Sequence, residues 1–151
     1  MYDFQKHWEA SKTTPEAKKI VALEFLQPAI AKLQKTVNKL RILDAGCGDG
    51  VHAEVLNGLN LDHHFLGVDI SNSALESAKK KNLSRWNFEI SNLGKLPYED
   101  DTFDISISFG VINYTNDPRR SFSELCRVTK KGGLIGIWVY PKREDLGIYF
   151  L

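Results

Sequence analysis

The chain has 151 residues, of which 42% are hydrophobic and 26% are charged, and these values suit one globular domain. The net charge of +1 comes from 20 basic and 19 acidic residues. Such a balance offers no basic surface to a polyanion, so we expect no nucleic-acid partner. No segment approaches the roughly 20 apolar residues of a membrane span, so we expect no membrane partner.

The two cysteines, Cys47 and Cys126, lie far apart and show no metal-ligand spacing. We therefore expect neither a disulfide framework nor a metal site. The first residues lack the apolar stretch of a signal peptide. Together these features predict a cytoplasmic protein.

The N-terminal part of the chain is predicted to be helical over residues 15–37. Apolar residues from Leu23 to Val37 recur at spacings of three and four, which form one stripe on a helix. Pro28 interrupts the stripe, so we expect a kink or two short helices.

From Leu40 onward, short apolar runs alternate with helical stretches. Strands are predicted at 40–44, 65–69, 88–90, 103–109 and 134–140, and helices at 52–57, 72–80 and 118–128, with a turn at 131–133. Strands joined by helical crossovers form parallel sheets. The expected fold is therefore a three-layer, Rossmann-like, doubly wound α/β domain that binds ligand at the carboxyl ends of its strands.

The turn after the first predicted strand is rich in glycine. Gly46, Gly48 and Gly50 occupy alternate positions between a strand and a helix. Glycines there let the backbone turn tightly and approach a ligand, and the following helix offers unpaired N–H donors to an anionic group. A glycine pattern alone is weak evidence for a ligand site, but its position between a predicted strand and a predicted helix makes it stronger.

Asp69 ends the second predicted strand, about 20 residues beyond the glycines, where an acid can accept both hydroxyls of an adenosine ribose. The alternative is a loop aspartate that caps the helix beginning near Ser73. Val51 stands where a dinucleotide site requires its third glycine. Asp44 would repel a pyrophosphate but attract an ammonium group. The pattern therefore favours an adenosine with a zwitterionic tail over a nicotinamide dinucleotide.

Four segments resemble class I S-adenosylmethionine-dependent methyltransferases, in the order of that family. They are residues 42–50 (ILDAGCGDG), 67–71 (GVDIS), 96–104 (LPYEDDTFD) and 128–133 (VTKKGG). The subgroup most similar in appearance includes the ubiquinone and menaquinone C-methyltransferases. The resemblance implies the cofactor S-adenosylmethionine and methyl transfer to an acceptor, for which we expect a small molecule. It implies the strand order 3-2-1-4-5.

For the methionine end of the cofactor, the resemblance implies contacts from Asp44, Gly46, Cys47 and Gly48, together with the backbone of Phe109. The nucleophile is aligned with a reactive sulfonium methyl, so a general base is needed only if the nucleophile must lose a proton. No catalytic residue is assigned. The histidines, including His52, are interpreted as surface or structural residues.

For the adenosine end, the resemblance implies that Asp69 holds the ribose hydroxyls and that Ile70 packs on the adenine. Asn92 replaces a family aspartate, and its amide oxygen can still accept from the adenine amino group. Leu93 would offer its backbone N–H to the adenine ring.

Substrate contacts are predicted more weakly, at Trp8, Asn113 and Tyr114. Many relatives carry a histidine pair where this chain has Asn113 and Tyr114. Residues 1–38 are expected to form an arm and helix that act as a lid over a core of residues 39–151. Aromatic residues without core periodicity motivate that expectation, although a permanently docked or disordered arm is the alternative.

The family fold usually has seven strands, and here strands 6 and 7 are missing. The chain is then a fragment, a shortened relative, or a non-catalytic module that binds S-adenosylmethionine or another protein. Without the seventh strand, residues 134–140 would form an open apolar edge. We expect self-association through this edge, or coverage of it by residues 146–151.

Overall fold

The structure, a computed structural model, describes residues 24, 26–59 and 61–139. The strands are β1 (Arg41–Ala45), β2 (His64–Asp69), β3 (Trp86–Ile90), β4 (Phe103–Phe109) and β5 (Thr129–Trp138). The helices are α1 (Gln27–Leu33), α2 (Val51–Gly58), α3 (Asn72–Lys80) and α4 (Pro118–Val128), with a 3-10 turn at Ile112–Tyr114. All strand pairs are parallel, in the order β3-β2-β1-β4-β5. This confirms the predicted fold class and strand order.

Helices cover both faces of the sheet. On one face, Leu26 and Ile30 at α1 and Leu56 of α2 pack with Ile42 and Ile105 of the central strands. On the other face, the apolar side of α4 packs against β1, β2 and β4. Six of the seven residues of β4 are buried, as expected for a strand covered on both faces of the sheet. Most of the predicted arm, including Trp8, lies outside the described residues.

Local signals in the sequence account for where the helices begin. The Ser71 side chain accepts a hydrogen bond from the N–H of Ala74 and caps α3. Asp117 caps α4 by accepting from the N–H of Arg120, and Pro118 occupies the first turn. Pro28 likewise lies in the first turn of α1, where its missing N–H costs no hydrogen bond. None of the described helices has the length and apolar character needed to cross a membrane.

The predicted turn at residues 131–133 lies inside β5 rather than before it. Between the pairs Phe103–Thr129 and Ile105–Leu134, β5 carries extra residues, and Gly132 has a φ of +82°. The segment is therefore an irregularity that shifts the strand register. Within the described sheet β5 is an edge strand, as predicted, and Ile135 and Ile137 are exposed. Residues 146–151 lie outside the described residues.

A cluster around Arg127 fixes the segment that leads into β4. The Arg127 guanidinium donates to the carbonyls of Leu96 and Tyr98 and to the carboxylates of Asp100 and Glu124. Glu124 also accepts from the N–H of Leu96 at 2.8 Å. The hydrogen bond from Arg127 lowers the pKa of Glu124 below its usual range. One helix side chain thus holds a loop that has no secondary structure of its own.

Arg127→Met should destabilise the domain by about 2–3 kcal/mol, because it removes several charge-assisted hydrogen bonds and leaves backbone carbonyls without their donor. Urea unfolding at neutral pH measures the change. Arg119→Met, on the exposed side of the same helix, is the matched control and should alter stability by less than about 0.5 kcal/mol. Equal behaviour of the two variants would contradict the role given to Arg127.

Candidate functional site

Asp69 ties the glycine turn to the end of β2. Its Oδ2 accepts from the N–H of Gly48 at 2.9 Å, and its Oδ1 accepts from the N–H of Ser71 at 2.9 Å. The turn itself is anchored by the carbonyl of Val68, which accepts from the N–H groups of Gly46 and Cys47. The Asp69 carboxylate therefore has one partner on each oxygen and lone pairs left for a ligand.

Positive φ angles at Gly46, Gly48 and Gly50, of +89°, +55° and +78°, explain why glycine is required in this turn. An ideal Cβ at Gly46 would lie 2.6 Å from the Val111 side chain, so a larger residue here would also clash with Val111. The loop after β4 therefore packs directly on the glycine turn.

Burial shapes the electrostatics of Asp69. Only 8% of the residue is exposed. Burial raises the pKa of the Asp69 carboxyl above its usual range, and the hydrogen bonds from Ser71 and Gly48 oppose that shift. A ligand that donates hydroxyl groups to this carboxylate would favour its charged form further.

Asp44, near the end of β1, is a buried carboxylate without a donor. It is 1% exposed, and neither side-chain oxygen accepts a hydrogen bond from the described residues. The nearest ionisable nitrogen is Nδ1 of His52, 3.6 Å from Asp44 Oδ2. Burying a carboxylate unpaired is costly, so this arrangement suits a cation that arrives with a ligand.

Cys47, in the glycine turn, is buried. Burial, and then the negative charge of Asp44, raise the pKa of the Cys47 thiol. The thiol is therefore held in its neutral, unreactive form. An ideal Cβ at Gly67 would lie 2.9 Å from Cys47 Sγ, so the side chain fills space beside β2 and acts as packing.

A cavity of about 350 Å³ opens beside the glycine turn, within the range typical of small-ligand sites. It is lined by Gly46, Asp69, Ile70, Asn92, Leu93, Gly94, Lys95, Val111, Thr115, Asn116, Asp117, Arg120 and Ser121. The cavity lies at the carboxyl ends of β1 and β2 and reaches the start of α4, as expected for a doubly wound sheet.

Five of the predicted cofactor residues line this cavity, namely Gly46, Asp69, Ile70, Asn92 and Leu93. Ile70 is 56% exposed, which leaves an apolar side chain free to pack on a flat ring. Leu93 is buried, whereas its neighbour Asn92 is exposed. The Asn92 amide oxygen already accepts from the N–H of Gly94 at 2.8 Å. It retains a second lone pair for a ligand.

The other predicted residues lie beside the cavity. The N–H of Gly48 donates to Asp69, which lines the cavity. Asp44 and Phe109 both lie next to His52, whose ring packs edge-on against that of Phe109 with centroids 5.3 Å apart. Asn113 and Tyr114 belong to the 3-10 turn between Val111 and Thr115. The predicted residues thus divide into those that line the cavity and those in a buried region around Asp44.

The α4 side of the cavity was missed by the sequence analysis. Thr115, Asp117, Arg120 and Ser121 contribute there, and Ser121 donates to the Thr115 hydroxyl at 3.0 Å. Pro118 marked the start of this helix in the sequence. Because that helix follows the fourth strand, its first turn lies at the same end of the sheet as the glycines. This position could have indicated that residues of α4 line the cavity.

Comparison with known proteins connects this geometry to one family. A sequence profile described as a methyltransferase domain matches residues 36–141. The chain is 34% identical over 116 residues to the 18S rRNA (guanine(1575)-N(7))-methyltransferase of Saccharomyces cerevisiae, covering 69% of this chain and 42% of that protein. It is 33% identical over 114 residues to a ubiquinone/menaquinone biosynthesis C-methyltransferase of Campylobacter jejuni, covering 72% and 48%.

Among solved structures, the PH0226 protein from Pyrococcus horikoshii matches with a TM-score of 0.69 and 26% identity, over 94% of this chain and 69% of that protein. The chain spans less than half the length of the two curated relatives above, at 42% and 48%.

The expectation of no nucleic-acid partner was wrong as a general exclusion. It rested on net charge, yet a relative of this chain is an rRNA methyltransferase. Net charge describes the whole surface, whereas an RNA can be bound locally or through parts outside a core domain. A small molecule is therefore not the only class of acceptor compatible with this chain.

Proposed function

Because the chain belongs to the family of class I S-adenosylmethionine-dependent methyltransferases, we propose that it binds S-adenosylmethionine at the carboxyl ends of β1 and β2 and donates the methyl group to an acceptor. Family membership favours this function over the non-catalytic module. The free cysteines, Cys47 and Cys126, agree with a reducing cytoplasmic location, which belongs to the same proposal.

The observation that carries the proposal is the buried carboxylate of Asp44, which accepts no hydrogen bond from the described residues. A pyrophosphate would place negative charge beside it, whereas the ammonium group of a methionine tail would supply the missing cation and its hydrogen-bond donors. Asp44 therefore fits S-adenosylmethionine and disfavours a nicotinamide dinucleotide.

The cavity suits the other half of the cofactor. Asp69 would accept from the ribose hydroxyls with lone pairs left free by Gly48 and Ser71. Ile70 and Leu93 would enclose the adenine between apolar surfaces, and Asn92 would accept from its amino group. The glycine turn allows the ligand to approach the backbone closely between these two groups of residues.

When bound, S-adenosylmethionine supplies a methyl group that a nucleophile attacks while the carbon–sulfur bond breaks and its electron pair stays on sulfur. The contribution of this chain is to bind and orient the cofactor and to exclude water. No side chain among the described residues is assigned as a general base. The proposal covers both small-molecule and RNA acceptors, since relatives of each description exist.

A calorimetric titration tests the proposal with three ligands. S-adenosylhomocysteine should bind, NADH should not, and 5′-methylthioadenosine should bind more weakly because it keeps the adenosine but lacks the amino-acid tail. Asp44→Asn should weaken S-adenosylhomocysteine about 10- to 150-fold, the loss expected for a charge-assisted interaction of about 1.5–3 kcal/mol. It should leave 5′-methylthioadenosine nearly unchanged.

Asp62→Asn is the control, since Asp62 is an exposed acid paired with Lys39 at 3.2 Å. This variant should bind all three ligands as the unmodified chain does. Tight binding of NADH, or equal effects of Asp44→Asn on both adenosine ligands, would overturn the assignment of this site.

A further inference from the structure

The wall that α4 contributes to the cavity carries a short chain of hydroxyl groups. Ser121, near the start of α4, donates to the hydroxyl of Thr115 at 3.0 Å. Thr115 in turn donates to the carbonyl of Ile112 at 2.8 Å. Both hydroxyl residues line the cavity, and Ser121 is buried. The function proposed above uses neither of them.

The direction of this chain is fixed by its last member. A carbonyl oxygen has no proton to give, so the bond between Thr115 and Ile112 uses the proton of Thr115. Thr115 Oγ1 then offers only lone pairs to Ser121, and the bond between the two hydroxyls uses the proton of Ser121. Toward a ligand in the cavity, Ser121 Oγ is therefore an acceptor without a proton to donate.

Asn92 presents a second acceptor close to Ser121. Its Oδ1 accepts from the N–H of Gly94 at 2.8 Å, and the other lone pair of this oxygen remains for a ligand. An ideal Cβ at Gly94 would lie 3.3 Å from Asn92 Oδ1 and 3.9 Å from Ser121 Oγ. Both oxygens thus lie within 4 Å of one point beside Gly94, where the absence of a side chain leaves room for a ligand atom.

We propose that Ser121 is a specificity-determining residue, whose oxygen accepts, together with that of Asn92, from the exocyclic amino group of the adenine. The inference rests on the proposed function, because it places the adenine in this cavity. An amino group carries two protons, one for each oxygen, whereas a carbonyl at the same ring position would meet two acceptors. Because Ser121 is buried, bulk water does not relieve that mismatch, and a base with the carbonyl is rejected.

Calorimetric titration with S-adenosylhomocysteine and S-inosylhomocysteine, in which a carbonyl replaces the amino group, measures this selectivity. The unmodified chain should bind the adenine compound at least about 100-fold more tightly. Ser121→Ala should weaken S-adenosylhomocysteine by about 3- to 10-fold, the loss of one hydrogen bond, and should bind S-inosylhomocysteine as tightly as before or more tightly. Ser123→Ala, at an exposed serine of the same helix, should keep the full selectivity.

A change at Thr115 tests the direction of the hydroxyl chain. Thr115→Val keeps the shape of the side chain but removes the acceptor for the Ser121 proton, which can then turn toward the cavity and be donated to a carbonyl. This variant should bind S-inosylhomocysteine about threefold or more tightly than the unmodified chain does, and the gain should vanish in Thr115→Val/Ser121→Ala. Ile112 keeps a donor, because its carbonyl also accepts from the N–H of Thr115 at 3.2 Å.

Other donors of the cavity contribute equally in every variant. The N–H of Leu93, proposed to face the adenine ring, would meet a protonated ring nitrogen in the inosine compound. The exposed cations Lys95 and Arg120 also line the cavity. Since none of these residues is changed, differences in selectivity between the variants report the contribution of Ser121.

Equal weakening of both compounds in Ser121→Ala would mean that the serine only supports the cavity wall. That result, or the same selectivity in Ser121→Ala and Ser123→Ala, would overturn the inference while leaving the cofactor assignment intact. Failure of S-adenosylhomocysteine to bind the unmodified chain would instead overturn the proposed function.

Discussion

Asp69→Asn is expected to weaken S-adenosylhomocysteine binding by about 10- to 150-fold at neutral pH, because the ribose hydroxyls lose a charged acceptor worth about 1.5–3 kcal/mol. The amide keeps one oxygen, which can accept from either Gly48 or Ser71 but presents N–H donors to the other. Asp69→Ala should weaken S-adenosylhomocysteine binding further, because it removes both acceptor oxygens and releases the glycine turn from the end of β2.

The stability of the ligand-free domain should respond differently from its affinity. Burial raises the pKa of Asp69 from 3.8, so the folded chain holds this proton more tightly than the unfolded chain does. The stability that protonation contributes is present below about pH 3.8 and is lost as the pH rises through the folded value. At neutral pH the charged carboxylate is therefore a net cost to folding, which asparagine avoids.

Urea unfolding and calorimetry on the same samples test both statements. Asp69→Asn avoids the buried charge but leaves one backbone N–H without its acceptor, so its midpoint of urea unfolding at pH 7 should change little while its affinity falls. Asp62→Asn serves again as the exposed control and should change neither quantity. Parallel losses of stability and affinity in Asp69→Asn would mean that the carboxylate is structural, as the helix-capping alternative holds.

Sequence periodicity predicted the strands and helices well because each has a local cause. The alternation of Ile105, Ile107 and Phe109 in β4, the cap at Ser71 and the first-turn proline Pro118 are features of a few adjacent residues. The start of β5 has no such cause. Gly132 and Gly133 predict a turn locally, but the residues on both sides of them pair with β4, at Phe103–Thr129 and Ile105–Leu134.

The candidate site was predictable where its residues belong to one turn or to one strand end, as at Gly46, Gly48 and Asp69. Where α4 meets the cavity, the sequence predicted the position of the helix but not the residues that contribute, because Arg120 and Ser121 reach the cavity only through the packing of α4 on the sheet. The proximity of His52 to Asp44 is a contact of the same tertiary kind, since eight positions separate them in the sequence.

Gly46→Ala should abolish detectable cofactor binding and reduce the stability of the domain. The residue has a φ of +89°, and its new Cβ would lie 2.6 Å from both Cγ atoms of Val111. Backbone strain costs about 1–3 kcal/mol, and overpacking against a stiff, β-branched side chain costs about 1–3 kcal/mol more. A movement of Val111 or of the turn would distort the cavity wall that both residues form.

The double variant Gly46→Ala/Val111→Ala separates the two causes. It removes the steric contact but keeps the unfavourable φ, so urea unfolding should show partial recovery relative to Gly46→Ala. Gly58→Ala is the matched control, because no atom lies within 4 Å of its ideal Cβ and its φ is not positive. This variant should be neutral or up to about 1 kcal/mol more stable, since alanine favours helices. Normal binding of S-adenosylhomocysteine by Gly46→Ala would show that the cofactor does not lie against this turn, because an added methyl group there cannot be accommodated without moving the residues that contact it.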